Sequence, residues 1–265
     1  MSPVQDTRGV APPGERLPRP EPLAWRHPEW WSVALSAAAW LALLARSGAA
    51  AAGAGSSPAH HDHAATAASV GGPASAWAGE TLDWSLMVVA MMLPLVLPSV
   101  RVTAARSLWP RRHRAIGGFL VGYLSPWLLV GLAASLLVAA LGLDRWLGLP
   151  LAGAVGFALA AVWQVTPAKG RALRSCDRTA PLAPQGWRAD RDCVRYGWMI
   201  GGRCLVSCWA LMLACVLGGH GLAAMAGASV VGAAERYTTR PDERLTAGLL
   251  VGLALTYATV AFLSI

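Results

Sequence analysis

Charge is scarce in this chain. Only 14% of its 265 residues are charged, against roughly 25% in an average soluble domain. With 55% hydrophobic residues and a mean hydropathy of +0.46, this shortage excludes an ordinary soluble globular domain and a disordered chain. The five cysteines include no Cys-x-x-Cys pair, which argues against a membrane thiol oxidoreductase of the usual kind. No nucleotide-binding motif occurs, so any transport would be passive or ion-coupled. Ser207 lacks a Gly-x-Ser-x-Gly setting, so an intramembrane serine protease is unsupported.

What the chain has is long apolar runs. They predict an all-α, polytopic helical membrane bundle of about seven transmembrane helices. Residues 1–29 are Pro-rich and read as a disordered cytoplasmic tail. Residues 30–45 form the first transmembrane helix, expected to be retained although it also resembles a signal-peptide core. Residues 46–81 form a flexible, His-containing outer loop. Residues 82–265 form a six-helix membrane domain, with apolar runs at 82–100, 116–141, 146–165, 197–217, 221–234 and 245–263.

The net charge is +8, carried almost entirely by Arg. In a soluble protein that excess would suggest nucleic acid. Here its distribution is a topology signal. If the N-terminus is cytoplasmic, segments 1–29, 101–114, 169–195 and 236–244 all face inward, and they hold 19 of the 22 Lys and Arg residues. The expectation is an N-in, C-out topology, with no nucleic-acid partner. Trp30, Trp31, Trp84, Trp109, Trp146, Trp163 and Trp198 fall near span ends, where amphipathic rings sit well. Trp40, Trp127 and Trp209 lie deeper and are expected between helices. Gly118/Gly122, Gly197/Gly201 and Gly248/Gly252 are Gly-x-x-x-Gly pairs suited to close helix packing. Pro94 and Pro98 interrupt the second span. Each frees a carbonyl that must meet a neighbouring helix, water or a ligand.

The fifth span carries Cys204, Cys208, Met212 and Cys215 at about 0°, 40°, 80° and 20° around a helix, so all four sulfurs share one face. Met87, Met91 and Met92 lie in the second span and Met225 in the sixth. Thiolates and thioethers select Cu(I) over hard ions. The same residues also suit plain apolar packing. His220, in the turn after the fifth span, is a further candidate ligand. His60, His61 and His63, with Asp62 between them, form a candidate capture segment for a metal ion in the outer loop. Cys176 and Cys193 lie in or beside the basic 166–195 segment and match no compact metal motif. Glu235 beside Arg236 reads as an interfacial ion pair, and Arg203 as a snorkelling cation.

An ordered series of motifs carries a resemblance: Leu86-Met87-Val88-Val89-Ala90-Met91-Met92-Leu93-Pro94, Gly122-Tyr123-Leu124-x-x-Trp127, Trp163-Gln164-Val165-Thr166-Pro167-x-Lys169, and Cys204-x-x-x-Cys208-Trp209-Ala210-Leu211-Met212. Across about residues 80–236 the chain resembles the bacterial family of predicted metal-binding integral membrane proteins, defined by a domain of unknown function. The resemblance implies a multi-span inner-membrane protein with a metal site and carries no established activity. Where that family shows two cysteines after Thr-Pro-x-Lys, this chain has Ala172 and Cys176. Ser207 stands where a second adjacent cysteine is usual, and His220 where a Met is usual.

The function expected is binding or handling of a soft metal ion, copper favoured, through transport or delivery. No catalytic residue is singled out. Partners expected are the lipid bilayer, a metal ion, and a membrane-protein partner or second copy. A non-catalytic membrane subunit or assembly factor remains the alternative, followed by a thiol oxidoreductase.

Overall fold

The structure is a computed structural model that describes residues 27–54, 73–141, 150–176, 178–183, 185–238 and 242–263. Among them the secondary structure is entirely helical. The helices are α1 (Trp30–Ala54), α2 (Pro73–Ala105), α3 (Arg112–Leu141), α4 (Pro150–Gln164), α5 (Pro167–Ser175), α6 (Gly186–Leu217), α7 (Leu222–Tyr237) and α8 (Glu243–Leu263), with a short 3-10 turn at Trp109–Arg111. Each apolar run expected to span overlaps one of these helices, with residues 146–149 of the fourth run outside the described residues. Five of them, α1, α2, α3, α6 and α8, are long and apolar enough to cross a membrane, and α4 with α5 would make a sixth if that bent pair is one span. At 1.5 Å per residue, α4 and α7 reach only about 22–24 Å, short of a hydrocarbon core of about 30 Å.

The tightest helix pair is α3 against α6, and glycine is the reason. A Cβ placed on Gly197 would collide with the Phe119 carbonyl and stand 2.8 Å from the Tyr123 amide nitrogen. A Cβ on Gly122 would collide with the Val194 carbonyl and stand 2.9 Å from the Trp198 amide nitrogen. Two of the Gly-x-x-x-Gly pairs therefore face each other and let two backbones touch. The third behaves differently: a Cβ on Gly248 or Gly252 would meet nothing within 4 Å.

The prolines of α2 leave no orphan at the carbonyls they free. Pro94 cannot donate to the Ala90 carbonyl one turn back, and the Ser36 hydroxyl of α1 donates to that oxygen instead, at 2.8 Å. Pro98 likewise frees the Pro94 carbonyl, which accepts from the Tyr237 hydroxyl of α7. Of the three outcomes open from sequence, neighbouring helices supply the partners. At the basic end of the bundle, Arg101 of α2 clamps Glu29, just before α1, at 2.9 Å. Glu29 is buried, and burial works to raise its pKa. Its backbone hydrogen bond and the Arg101 guanidinium outweigh that and hold the carboxyl below its ordinary range.

The core runs through α2, α3 and α6, where Met87, Met91, Met92, Phe119, Tyr123, Trp127 and Met212 are all buried. Trp127 packs deep between helices as expected, whereas Trp209 is 37% exposed and packs edge-on against Trp163. On the outward side, α8 buries only Thr246 and Leu250. Such an apolar helix surface suits lipid contact.

Gly197→Leu should disrupt the α3–α6 contact at a cost of at least about 1–3 kcal/mol, the range for overpacking. Gly252→Leu should change stability by less than about 0.5 kcal/mol, as for surface substitutions. Thermal unfolding of detergent-purified protein distinguishes the two.

Candidate metal centre

The α3–α6 contact places Tyr123 against the middle of α6. Its hydroxyl lies 3.2 Å from Cys204 Sγ and 3.3 Å from the Met92 carbonyl oxygen. Met92 comes from α2, and its Sδ stands 3.9 Å from Cys204 Sγ. Cys208 is one helical turn further along α6 and lines the same pocket as Cys204. The Ser207 hydroxyl is 3.4 Å from Cys208 Sγ and also donates to the Cys204 carbonyl at 2.9 Å. Cys204, Cys208, Met92 and Tyr123 are all buried. Three helices thus bring two thiols and one thioether together, with hydroxyls beside both thiols.

The sequence expectation grouped more sulfurs than this. Met212 lies eight residues beyond Cys204 and Cys215 eleven, or about 12 and 16 Å along the helix axis. One ion cannot touch both ends of that stripe. Cys215 is fully buried with its thiol near Tyr257. Met87, Met91 and Met225 are buried in the core. His220 sits in the α6–α7 turn with a φ of 57°. Its Nε2 is buried without a hydrogen-bond partner. Burial holds the His220 imidazole below its ordinary pKa, against the pull of the Asp83 carboxylate. It is therefore grouped with Asp83 and not with the Cys204–Cys208 pair. His60, His61 and His63 lie outside the described residues. Among the described residues, no three His, Cys, Asp or Glu side chains converge to hold an ion. A site at Cys204 and Cys208 therefore depends on the Met92 thioether for its third donor.

Sequence reasoning missed two contributions. The first is Cys176, which closes α5. It is buried, and it lines the same pocket as Tyr123, Cys204, Ser207 and Cys208. It does not complete a three-thiol set. The second is a polar network that reaches the wall of that pocket through Glu235. Lys169 Nζ donates to Gln164 Oε1 at 2.6 Å and pairs with Glu235 Oε2 at 2.9 Å. Gln164 Nε2 donates to Glu235 Oε1 and, at 3.0 Å, to Thr246 Oγ1. All four residues are buried. The charges of Lys169 and Glu235 both reach the Cys208 sulfur. Glu235 is thus a buried partner of Lys169 and not an interfacial partner of Arg236, whose Nε donates to the Leu95 carbonyl.

The signal for this network was present in Thr-Pro-x-Lys. Thr166 is the N-cap of α5 and its hydroxyl accepts from the Lys169 amide at 3.3 Å. Pro167 follows at the first helical position, where its missing N–H costs nothing. The chain turns by 75° between α4 and α5, and that turn carries Lys169 back onto Gln164. Local spacing predicts the cap but not the destination of the side chain.

Lys169→Met should cost about 3–5 kcal/mol, because it leaves Glu235 buried without its countercharge. Lys169→Met combined with Glu235→Leu should recover more than half of that loss. Unfolding of each purified variant in mixed detergent provides the comparison.

No curated protein and no solved structure matches the chain. A family model described as PpoB2, copper chaperone, matches residues 81–261, a stretch holding every residue of the sulfur site and of the polar network. The chain belongs to the PpoB2 copper chaperone family.

Proposed function

We propose that this chain is a membrane-embedded copper chaperone that holds Cu(I) as cargo between Cys204, Cys208 and Met92. The observation that carries the proposal is the buried contact between Met92 Sδ of α2 and Cys204 Sγ of α6, beside a pocket that Cys208 also lines. Soft donors in a closed apolar setting favour Cu(I) over harder and more strongly hydrated ions. Once deprotonated, the two thiols carry one negative charge more than the ion neutralises. That surplus would be costly inside a membrane. Tyr123 and Ser207 can each donate to a sulfur, and the Lys169 ammonium lies within electrostatic reach of Cys208. Hydrogen bonding to the charged form favours it. Cys176, in the same pocket at the basic end of the bundle, is placed to meet the ion on its way in or out.

The topology proposed with this reading has seven spans, with the N-terminus in the cytoplasm and the C-terminus outside, in a bacterial inner membrane. Its support is the inward concentration of Arg together with the overlap of each apolar run with a helix among the described residues. The short helices α4 and α7 end at the buried Gln164–Lys169–Glu235 network, which satisfies polar groups where the helices stop. The His60–His63 segment would collect the ion outside, and the outer-half residues Met87, Met212, Cys215, His220 and Met225 would line the route between that segment and the thiol pair.

Elemental analysis of full-length protein purified from copper-supplemented cells tests the cargo assignment. Wild type should hold about one copper per chain. Cys204→Ser with Cys208→Ser should reduce this to background, and Cys215→Ser should retain most of it. Equal, near-zero copper in all three would contradict the reading and favour a non-catalytic membrane subunit.

A further inference from the structure

The outer side of the α5–α6 junction carries a groove of about 950 Å³, counting space open to the surroundings. It lies apart from the sulfur pocket, and the copper reading makes no use of it. Two cations flank it. Arg171 comes from α5 and is exposed, while Arg203 comes from α6 and is half-buried. Neither has an acidic partner among the described residues; Arg203 donates to the Ser175 carbonyl at 2.9 Å. The remaining wall is largely apolar and includes Trp198 and Val206, which are 48% and 51% exposed. Its floor is Gly202, where an added Cβ would meet nothing within 4 Å.

These features identify a ligand chemistry. Two guanidiniums on separate elements, neither with an acidic partner among the described residues, suit a phosphodiester, which Arg recognises in a planar, forked geometry. Exposed Trp and Val on the same groove suit an acyl chain. Arg203 lies about 9 Å along the axis from Gly197, where the polar start of α6 gives way to its apolar run. Arg203 therefore starts below headgroup depth, and its long side chain reaches back toward the basic end, where it meets the Ser175 carbonyl. A free phosphate would satisfy the cations and leave the apolar wall exposed, so the combination favours a lipid.

We infer that this groove binds the headgroup and upper acyl chain of an anionic phospholipid. The lipid would brace α5 from behind. The opposite side of α5 presents Lys169 to the polar network and Leu173 to the sulfur pocket, so the bound lipid fixes the helix that shapes one wall of that pocket.

The test is native mass spectrometry of the delipidated full-length protein in neutral detergent, titrated separately with phosphatidylglycerol, phosphatidylcholine and inorganic phosphate. Each basic residue near a membrane surface contributes enough to expect a preference of about fivefold or more for phosphatidylglycerol over phosphatidylcholine. Arg171→Ala and Gly202→Leu should each bring the two lipids close to parity. Neither change removes a contact that holds the fold, and matching circular dichroism melts would confirm it. Arg195→Ala, an exposed cation outside the groove, should keep the preference. Parity in the wild type, a preference unchanged by both groove variants, or inorganic phosphate competing as well as the lipid would each overturn the inference.

Discussion

Backbone contact between α3 and α6, made at Gly122 and Gly197, sets where Tyr123 stands relative to Cys204. Apolar side chains gain nothing by leaving lipid for one another, so membrane helices associate through close packing and polar contacts. Here the closest packing in the bundle lies about two turns along α6 from Cys204. A side chain at either glycine would push the helices apart and carry the Tyr123 hydroxyl away from sulfur. The site and the main packing contact are thus parts of one arrangement.

A second constraint is polar satisfaction in an apolar medium. Pro94 and Pro98 free two carbonyls of α2, and hydroxyls from α1 and α7 take them up. Lys169 and Glu235 are buried together, with Gln164 and Thr246 completing their hydrogen bonds. These contacts tie α1 and α7 to α2, and the α4–α5 bend and α8 to α7. Most of the polar side chains held in the interior therefore serve as links between helices. The thiols differ, because their hydroxyl neighbours leave sulfur lone pairs available for a soft ion.

The sequence made part of this legible. Apolar runs placed the helices, and the Gly-x-x-x-Gly spacing marked the α3–α6 contact, since both features are local and periodic. The same spacing misled at Gly248 and Gly252, because a flat helix face records the capacity for close approach and not the presence of a neighbour. The one-face argument grouped Cys204 with Cys208, which are one turn apart and line one pocket. It extended too far along the axis to Met212 and Cys215, because a shared direction on a helix says nothing about rise. Cys176 and Lys169 could not be placed from spacing alone. Their positions depend on a 75° turn between α4 and α5, which a capped Thr-Pro start makes possible without fixing its angle.

A copper chaperone must bind its cargo firmly enough to exclude water and still release it. Under the proposed reading, a buried pair of thiols with one weaker thioether would satisfy both demands, and the chain belongs to the PpoB2 copper chaperone family. The central claim is that the ion is held by sulfur within the helices and not by imidazole in the outer loop. X-ray absorption at the copper edge of the purified, copper-loaded protein tests it directly. The account predicts Cu(I) with a first shell of sulfur that is lost in Cys204→Ser with Cys208→Ser. A first shell dominated by nitrogen or oxygen, unchanged in that variant, would contradict it.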